Sequence, residues 1–193
     1  MNAGDIIALQ EDALARSAPP AGAGPALAQA LAQNHWHNCR LWEQEDLARR
    51  RNVPDAEIAA NKRAIDLHNQ KRNDAIERID EELIAALRDV KRDPAARLNS
   101  ESAGAMVDRL SILSLKIHHM RLQTARNDVD REHVETCRAK LARLLEQRAD
   151  LAGCLDRLLD EAARGESYFK VYRQFKMYND PKLNPAIYND KST

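Results

Sequence analysis

The chain has 193 residues and a mass of 21.8 kDa, which suits one ordinary domain and leaves little room for two. Its 30 Lys and Arg residues balance 30 Asp and Glu residues, so no net charge draws it to nucleic acid or to an anionic membrane, and we expect neither as a partner. Without a CxxC pair, a long apolar run or a positive N-terminal patch, the sequence favours a cytoplasmic protein with no membrane insertion.

The sequence predicts an all-α fold, an antiparallel bundle of four long helices plus a short N-terminal helix and an aromatic-rich C-terminal tail. The short helix covers residues 1–16 and either caps the bundle or swaps between subunits. Three prolines and two glycines then predict a flexible linker at 17–25. The remainder, 26–193, is predicted to be a single helical domain.

The four long helices are predicted at about 26–51, 55–92, 104–126 and 131–165. Pro54 suits a first helical turn, and no proline or glycine follows it until Pro94. Ser100 to Gly104 and Asn127 to Asp130 are typical of capped helix starts. Short links make consecutive helices antiparallel neighbours, and the nearly all-apolar helix at 104–126 is predicted to be central.

The C-terminal tail has a different composition. All four tyrosines and both phenylalanines lie between Tyr168 and Tyr188, among several basic residues. Rings of this kind usually pack over the end of a bundle, which we expect here. The alternative is a platform that stacks on single-stranded nucleic acid.

Polar residues occupy positions where the helical pattern requires a core. In the helix at 55–92, the heptad positions include Lys62, Asn69 and Arg72, and a second row holds Asp66, Gln70, Asn73, Glu77 and Asp80. The helix at 26–51 begins with leucines on this face and continues with Asn34, Asn38 and Glu45. Because antiparallel helices joined at 52–55 bring these halves together, the sequence predicts one shared polar site.

The central helix adds further polar residues to an apolar background, namely Asp108, Arg109, Lys116, His118 and His119. Charges that face a core must be paired, solvated or bound to a ligand. Three interpretations stay open. The residues form a network that fixes helix register, a ligand pocket in which Lys62, Arg63 and Arg72 hold phosphate or carboxylate, or a polar subunit interface.

Metal sites are possible alternatives. Glu45, Asp46, Asp66 and Glu77 have the residue types of a Mg²⁺ site, although their spacing differs from that of all-helical nucleotide pyrophosphatases. Two His/Cys pairs four residues apart, His35 with Cys39 and His133 with Cys137, have the ligand types of a zinc site. No cofactor is certain, and magnesium is the one we consider.

Four sequence runs resemble the bacterial family called domain of unknown function 4254: NHWHNCRLWEQEDLARR, KRAIDLHNQKRNDAIERIDEEL, ESAGAMVDRLSILSLKIHHM and QFKMYNDPKLNP. The resemblance extends from about Ala26 onward. It implies a small cytoplasmic bacterial protein whose gene lies near glycosyltransferases of envelope polysaccharide assembly, including heptosyltransferase-like ones. The positions that it marks are Asn34, His35, Asn38, Trp42, Glu45, Asp46, Lys62, Arg63, Asp66, Asn69, Arg72, Asn73, Asp108 and Arg109.

The leading hypothesis is a binder or enzyme for a phosphorylated sugar or nucleotide-sugar in bacterial cell-envelope glycan synthesis, with a polar pocket between helices. The predicted ligand-binding residues are Asn34, His35, Asn38, Glu45, Lys62, Arg63, Asp66, Asn69, Arg72, Asn73, Asp108 and Arg109. The alternative is a non-enzymatic adaptor or regulator of a glycosyltransferase, which could be a homodimer. In it, the polar residues on the core face only fix the helix register.

Overall fold

The computed structural model describes residues 1–16, 24–175, 177 and 180–189, so most of the linker predicted at 17–25 lies outside the described residues. The helices are α1 (Ala3–Arg16), α2 (Ala26–Ala48), α3 (Asp55–Ala86), α4 (Ala103–Thr124), α5 (Arg131–Ala163) and α6 (Pro185–Tyr188). Two short strands, β1 (Arg97–Leu98) and β2 (Ser167–Tyr168), form a parallel pair. The predicted all-α fold is confirmed. Among the described residues, no helix is both long enough and apolar enough to cross a bilayer.

α2 and α3 form an antiparallel hairpin. Near the joint, Arg50 and Glu57 form an ion pair at 3.0 Å, and farther along the hairpin Nδ1 of His37 lies 3.0 Å from Nδ1 of His68. The polar halves of the two helices therefore face each other, as the sequence predicts.

α4 is the central helix, since it contacts α1, α2, α3 and α5. Oγ of Ser102 accepts a hydrogen bond from the backbone of Ala105 and so caps its start. Leu110 and Ile117 are completely buried on it. α5, capped by Asp130, packs on α4 and α1, whereas no described Cα atom of α5 lies within 8 Å of one in α2 or α3.

α1 is part of the core. Ala3, Ile6 and Gln10 are buried where α1 packs against α2, α4 and α5. The backbone of Ala3 donates to Oδ1 of Asp156 at 2.7 Å, which ties the start of α1 to α5. The short helix is thus packed into the same hydrophobic core as residues of α2, α4 and α5.

The end of α3 differs from the prediction. The helix stops at Ala86 instead of near residue 92, and the chain turns toward β1. Gly165, in the left-handed region at φ 76°, follows α5 and lies against the backbone of Lys91, where a Cβ atom would overlap the Lys91 carbonyl. Backbone pairing of Asp93, Arg97 and Asn99 with the chain after α5 therefore fixes the path of this segment, which turns at 93–96 before β1. Single-helix periodicity does not reveal this pairing.

Among the aromatic side chains of the tail that the structure describes, those at its beginning are packed. Phe169 is buried and Tyr168 is half-buried, whereas Tyr172 and Phe175 are exposed. Lys176 and Tyr178, which the tail prediction includes, lie outside the described residues. The expected packing of rings over the bundle end thus holds for its first two rings.

Candidate functional site

A group of polar side chains lies between α2, α3 and α4. We call it the Asp108 cluster, and it comprises Asn34, His35, Asn38, Arg72, Asn73, Asp108 and Ser111. All are buried except Arg72, whose side chain is 26% exposed. The polar residues of this cluster therefore form an interior site with one partly exposed cation.

Asp108 is the centre of this cluster. Its Oδ1 accepts hydrogen bonds from Nδ2 of Asn34 and Nδ2 of Asn38, both at 2.8 Å, and lies 3.9 Å from Nε of Arg72. The two asparagines reach one oxygen because residues four apart share a helix face. Two amide donors and a guanidinium thus offset the cost of burying the carboxylate. Its Oδ2 receives no hydrogen bond from the residues that the structure describes.

Ser111 links Asn38 to His35. Nδ2 of Asn38 donates to Oγ of Ser111 at 3.0 Å, and this Oγ lies 2.8 Å from Nδ1 of His35. Oγ can donate one hydrogen bond and accept two, so the tautomer of the neutral ring decides whether Ser111 or His35 donates in this contact. Desolvation by burial lowers the pKa of His35 to about 4, against a smaller opposing effect of a hydrogen bond with the Gln10 backbone. The imidazole is therefore neutral at physiological pH.

Two buried atoms of the cluster, Nε of Arg72 and Oδ1 of Asn34, have no hydrogen-bond partner within the described chain. Nδ2 of Asn61, nearer the start of α3, has none either. Such atoms are nearly always paired in native proteins, so each is open to a hydrogen bond with a water or a ligand. Arg72 is the most informative because its guanidinium is permanently charged, and its NH2 group donates to Oδ1 of Asn73 at 3.3 Å. The cluster can thus offer a cationic donor to an anion.

The C-terminal segment, which follows β2, lies along α3 beside the cluster at residues 173–174. NH1 of Arg173 pairs with Oε2 of Glu77 at 2.6 Å, and Arg173 also pairs with Glu81. Nδ2 of Asn73 donates to Oε1 of Gln174 at 3.2 Å. The segment therefore contacts the cluster directly through Asn73.

The comparison with known protein families decides which family this is. The family profile described as Protein of unknown function (DUF4254) matches residues 28–171, which is most of the chain. The chain belongs to this family. No curated protein and no solved structure matches it. Every member of the Asp108 cluster lies within the matched DUF4254 residues, whereas Gln10 and Gln174, which contact the cluster, lie outside them.

Half of the predicted ligand-binding residues meet in the cluster, namely Asn34, His35, Asn38, Arg72, Asn73 and Asp108. The other half lie elsewhere, namely Glu45, Lys62, Arg63, Asp66, Asn69 and Arg109. Their role in ligand binding stays a prediction.

These outer residues have partners of their own or face solvent. Lys62 and Asp66 pair with each other at 2.6 Å, and Arg109 pairs with Glu101 at 2.6 Å. Arg63 is exposed and Asn69 is half-buried. The structure therefore places them outside the Asp108 cluster.

The four carboxylates considered for magnesium are not grouped. Glu45 pairs with Arg49, Asp66 with Lys62 and Glu77 with Arg173, while Asp46 is exposed. Within the described chain, no three His, Cys, Asp or Glu side chains lie together as a metal site requires. The zinc alternative also lacks its geometry, because its two His/Cys pairs are on α2 and α5, and no described Cα atoms of these helices lie within 8 Å of each other. The described residues therefore support neither metal site.

Sequence reasoning missed the two serines of α4 that complete the hydrogen bonding. Oγ of Ser114 donates to Oε1 of Gln10 at 2.9 Å, as Ser111 joins Asn38 to His35. Their spacing is the sequence feature that points to them, since Ser111 and Ser114 follow Asp108 at three-residue steps on one helix face. Serine is common on exposed faces as well, so this spacing alone does not reveal a buried network.

An aromatic contact forms a second junction between α2 and α4. The rings of Trp42 and His119 stack with centroids 4.3 Å apart and planes 3° from parallel, and His118 meets His119 edge-on. Burial lowers the pKa of His119, and the neighbouring His118 lowers it further. Trp42, which the family resemblance marks, therefore has a packing role in this fold.

Proposed function

We propose that this protein binds a phosphorylated sugar or nucleotide-sugar of cell-envelope glycan synthesis at the Asp108 cluster. The observation that carries the proposal is Nε of Arg72, a buried cationic donor without a hydrogen bond, 3.9 Å from a carboxylate oxygen that two amides already engage. A phosphate or pyrophosphate oxygen supplies the acceptor that this guanidinium lacks.

The mixture of polar groups favours a sugar phosphate over a simple anion. Oδ2 of Asp108, to which no described residue donates, can accept a hydrogen bond from a sugar hydroxyl. The guanidinium of Arg72 lies 3.9 Å from the other oxygen of this carboxylate and can pair with an anionic oxygen. A ligand with both hydroxyl donors and anionic oxygens matches this set better than inorganic phosphate does.

A thermal-shift titration tests this proposal. UDP-glucose, ADP-glucose, glucose 1-phosphate and inorganic phosphate are added to the wild-type chain, to Arg72→Gln and to the control Arg78→Gln. Arg78 is exposed on the same helix and pairs with Glu82, so the control removes an equal charge away from the cluster. A ligand at 100 times its Kd stabilises the folded state by about 2.7 kcal/mol.

We expect one of the sugar compounds to raise the Tm of the wild type and of Arg78→Gln, but not that of Arg72→Gln. No shift in a cooperatively melting wild type, or equal shifts in all three proteins, would contradict the proposal.

A second candidate function is supported by the C-terminal segment. Tyr172, Phe175, Met177, Leu183 and Ile187 are apolar side chains that stay exposed in it. Exposed apolar groups close together mark protein-binding surfaces, so this segment suits an adaptor that docks on a glycosyltransferase. Phe175→Ser should then abolish co-purification with a glycosyltransferase encoded beside it while leaving the Tm unchanged, and retained co-purification argues against the adaptor.

A further inference from the structure

A second concave site lies far from the Asp108 cluster, where the ends of α3 and α5 meet β2. This cleft has a volume of about 390 Å³, within the range of about 300 to 1,000 Å³ that is typical of small-molecule sites. Its apolar lining comes from Ile84, Leu87, Val90, Ala162 and Phe169. On α3, Ile84 follows Arg72 by twelve residues, which is about 18 Å along the helix axis. The two sites are therefore separate.

A preorganised cation lies at the cleft. Arg92 and Tyr168 both line it, and Cζ of Arg92 stacks 3.7 Å from the centre of the Tyr168 ring. The Arg92 guanidinium makes no ion pair and no hydrogen bond with the described residues. Most arginines near it differ in this respect, since Arg97 pairs with Glu161 and Arg164 with Glu166. Arg92 is an exposed residue whose guanidinium stacks on the aromatic ring, so its N–H groups stay open to an anion.

A buried hydroxyl lines the same cleft. Ser167 is 3% exposed, and its Oγ has no hydrogen-bond partner within the described chain. A buried hydroxyl without a partner loses the hydrogen bonds that it would make in water. A polar atom of a molecule in the cleft would restore one of them.

We propose that this cleft binds a small amphipathic anion, whose apolar chain packs on Leu87 and Phe169 and whose carboxylate or phosphate head pairs with Arg92. The apolar walls favour a short alkyl or isoprenoid chain over a sugar, because burial of hydrocarbon is the main source of affinity there. Arg92 requires the anionic head, and the hydroxyl of Ser167 hydrogen-bonds a head-group oxygen. This site stands independently of the function proposed for the Asp108 cluster.

Backbone amide NMR of the full ¹⁵N-labelled chain tests the inference with four probes. Octanoate and octyl phosphate are amphipathic anions with the two candidate heads, octanol has the chain without the charge, and acetate has the charge without the chain. We expect octanoate or octyl phosphate to shift the amides of Gly165, Ser167 and Tyr168 in a saturable way. The tighter of the two identifies the head group, and octanol and acetate should bind at least about tenfold more weakly.

Three variants assign the interaction to the cleft. Arg92→Gln should weaken binding of the anion by at least about tenfold, and Val90→Trp, which fills the cleft from its half-buried rim, should prevent it. Arg143→Gln, on the exposed surface of α5, removes the same charge elsewhere and should leave binding unchanged. Far-UV circular dichroism verifies that each variant is folded.

Several results would overturn the inference. Unchanged amides of Gly165, Ser167 and Tyr168 with every probe would show that the cleft binds no such molecule. Octanol binding as tightly as octanoate would refute the role of the charge, as would an Arg92→Gln variant with wild-type affinity.

Discussion

The buried imidazole of His35 makes the stability of the protein depend on pH. Burial lowers its pKa to about 4 in the folded state, whereas an unfolded chain has the ordinary value of 6.5. The folded state therefore binds fewer protons between these values, and its stability is fully present above pH 6.5 and is lost as pH falls through 4. One pKa unit corresponds to about 1.4 kcal/mol, so the loss from this group approaches about 3 kcal/mol. Imidazole resonances in an NMR titration measure the pKa directly, and titration of folded His35 near 6.5 would refute this prediction.

Asp80 has the opposite dependence. Desolvation by burial raises the pKa of its carboxyl from 3.8 to about 6, although Ser102 and the backbone of Gly104 donate to it. Its contribution to stability is complete below pH 3.8 and is lost as pH rises through 6, because the ionised form is disfavoured in the fold. Asp80→Asn keeps an acceptor for Gly104 and removes the charge.

We therefore expect Asp80→Asn to be more stable than the wild type at pH 7.5, by up to about 3 kcal/mol, and about equally stable near pH 4. Urea unfolding of the variant and the wild type at both pH values measures the difference in stability. The contribution of His35 cancels because both proteins contain it. Asp89→Asn is the control, because the Asp89 side chain is 91% exposed and its removal should give no pH-dependent difference. A constant difference for Asp80→Asn would contradict the prediction.

The residues of the cluster could be predicted from sequence where the side chain is short. The side chains of Asn34, Asn38 and Asp108 are too short to reach water from a core position. A short polar residue that the helical pattern places on the core face is therefore buried in the structure. Lys62 and Glu45 lie outside the cluster, because long charged side chains extend to solvent from the same kind of position. At the start of α3 the buried residue is Asn61, which is one position, or about 100° of rotation, from the predicted Lys62.

At the level of whole elements, the crossing of α3 and α4 depends on Gly104. A Cβ atom on it would lie 2.5 Å from the carbonyl oxygen of Ile76 and 3.0 Å from Cγ of Asp80. Gly104→Ala must therefore separate the helices and disturb the hydrogen bond to Asp80, so we expect a loss of roughly 1 to 3 kcal/mol in the free energy of unfolding.

Gly153 provides the matched control. It lies within α5, is exposed, and has no atom within 4 Å of its would-be Cβ. Gly153→Ala should stabilise the protein by about 0.5 to 1 kcal/mol through helix propensity alone. Equal effects of the two substitutions in urea unfolding would show that the close approach at Gly104 is unimportant.

The packing of α1 predicts a second contrast. Ile6 is 4% exposed in the core, and Leu9, three residues later on the same helix, is 47% exposed. Ile6→Ala should cost about 2 to 5 kcal/mol, because it leaves a cavity, whereas Leu9→Ala should change stability by less than about 0.5 kcal/mol. Thermal or urea unfolding of both variants gives the comparison. A small effect of Ile6→Ala would indicate that α1 is docked loosely on the bundle.

The helices themselves were predictable because their apolar periodicity and their caps agree, as at Ser102 and Asp130. Two features were not. The docking of α1 depends on tertiary contacts that a linker-like sequence after it conceals. The end of α3 has no proline or glycine to mark it, and pairing of β1 with residues after α5, nearly seventy positions away, decides it.

Across the whole molecule, the core is concentrated at one end. Its main cluster joins the start of α1, the end of α3, the start of α4 and the end of α5, with Ile6, Ile79, Leu110, Leu155 and Phe169 among its members. The Asp108 cluster lies at the border of this core, since Asp108 lies in α4 between the buried core residues Val107 and Leu110. A rigid wall on one side and a less buried region on the other are the usual surroundings of a binding site.

The uneven core predicts uneven local stability, most clearly within α5. Over its first twenty residues, 131–150, Cys137 is the buried side chain, whereas Leu151, Leu155, Leu158 and Ala162 are buried in its last turns. Backbone hydrogen bonds over few buried contacts open locally at low free energy, so amides at 131–147 should exchange with deuterium faster than those at 151–163. Hydrogen exchange with mass spectrometry measures both stretches of one helix in one experiment. Uniform protection along α5 would mean that the hairpin of α4 and α5 opens only with the whole protein, and that its outer half is held by contacts other than burial.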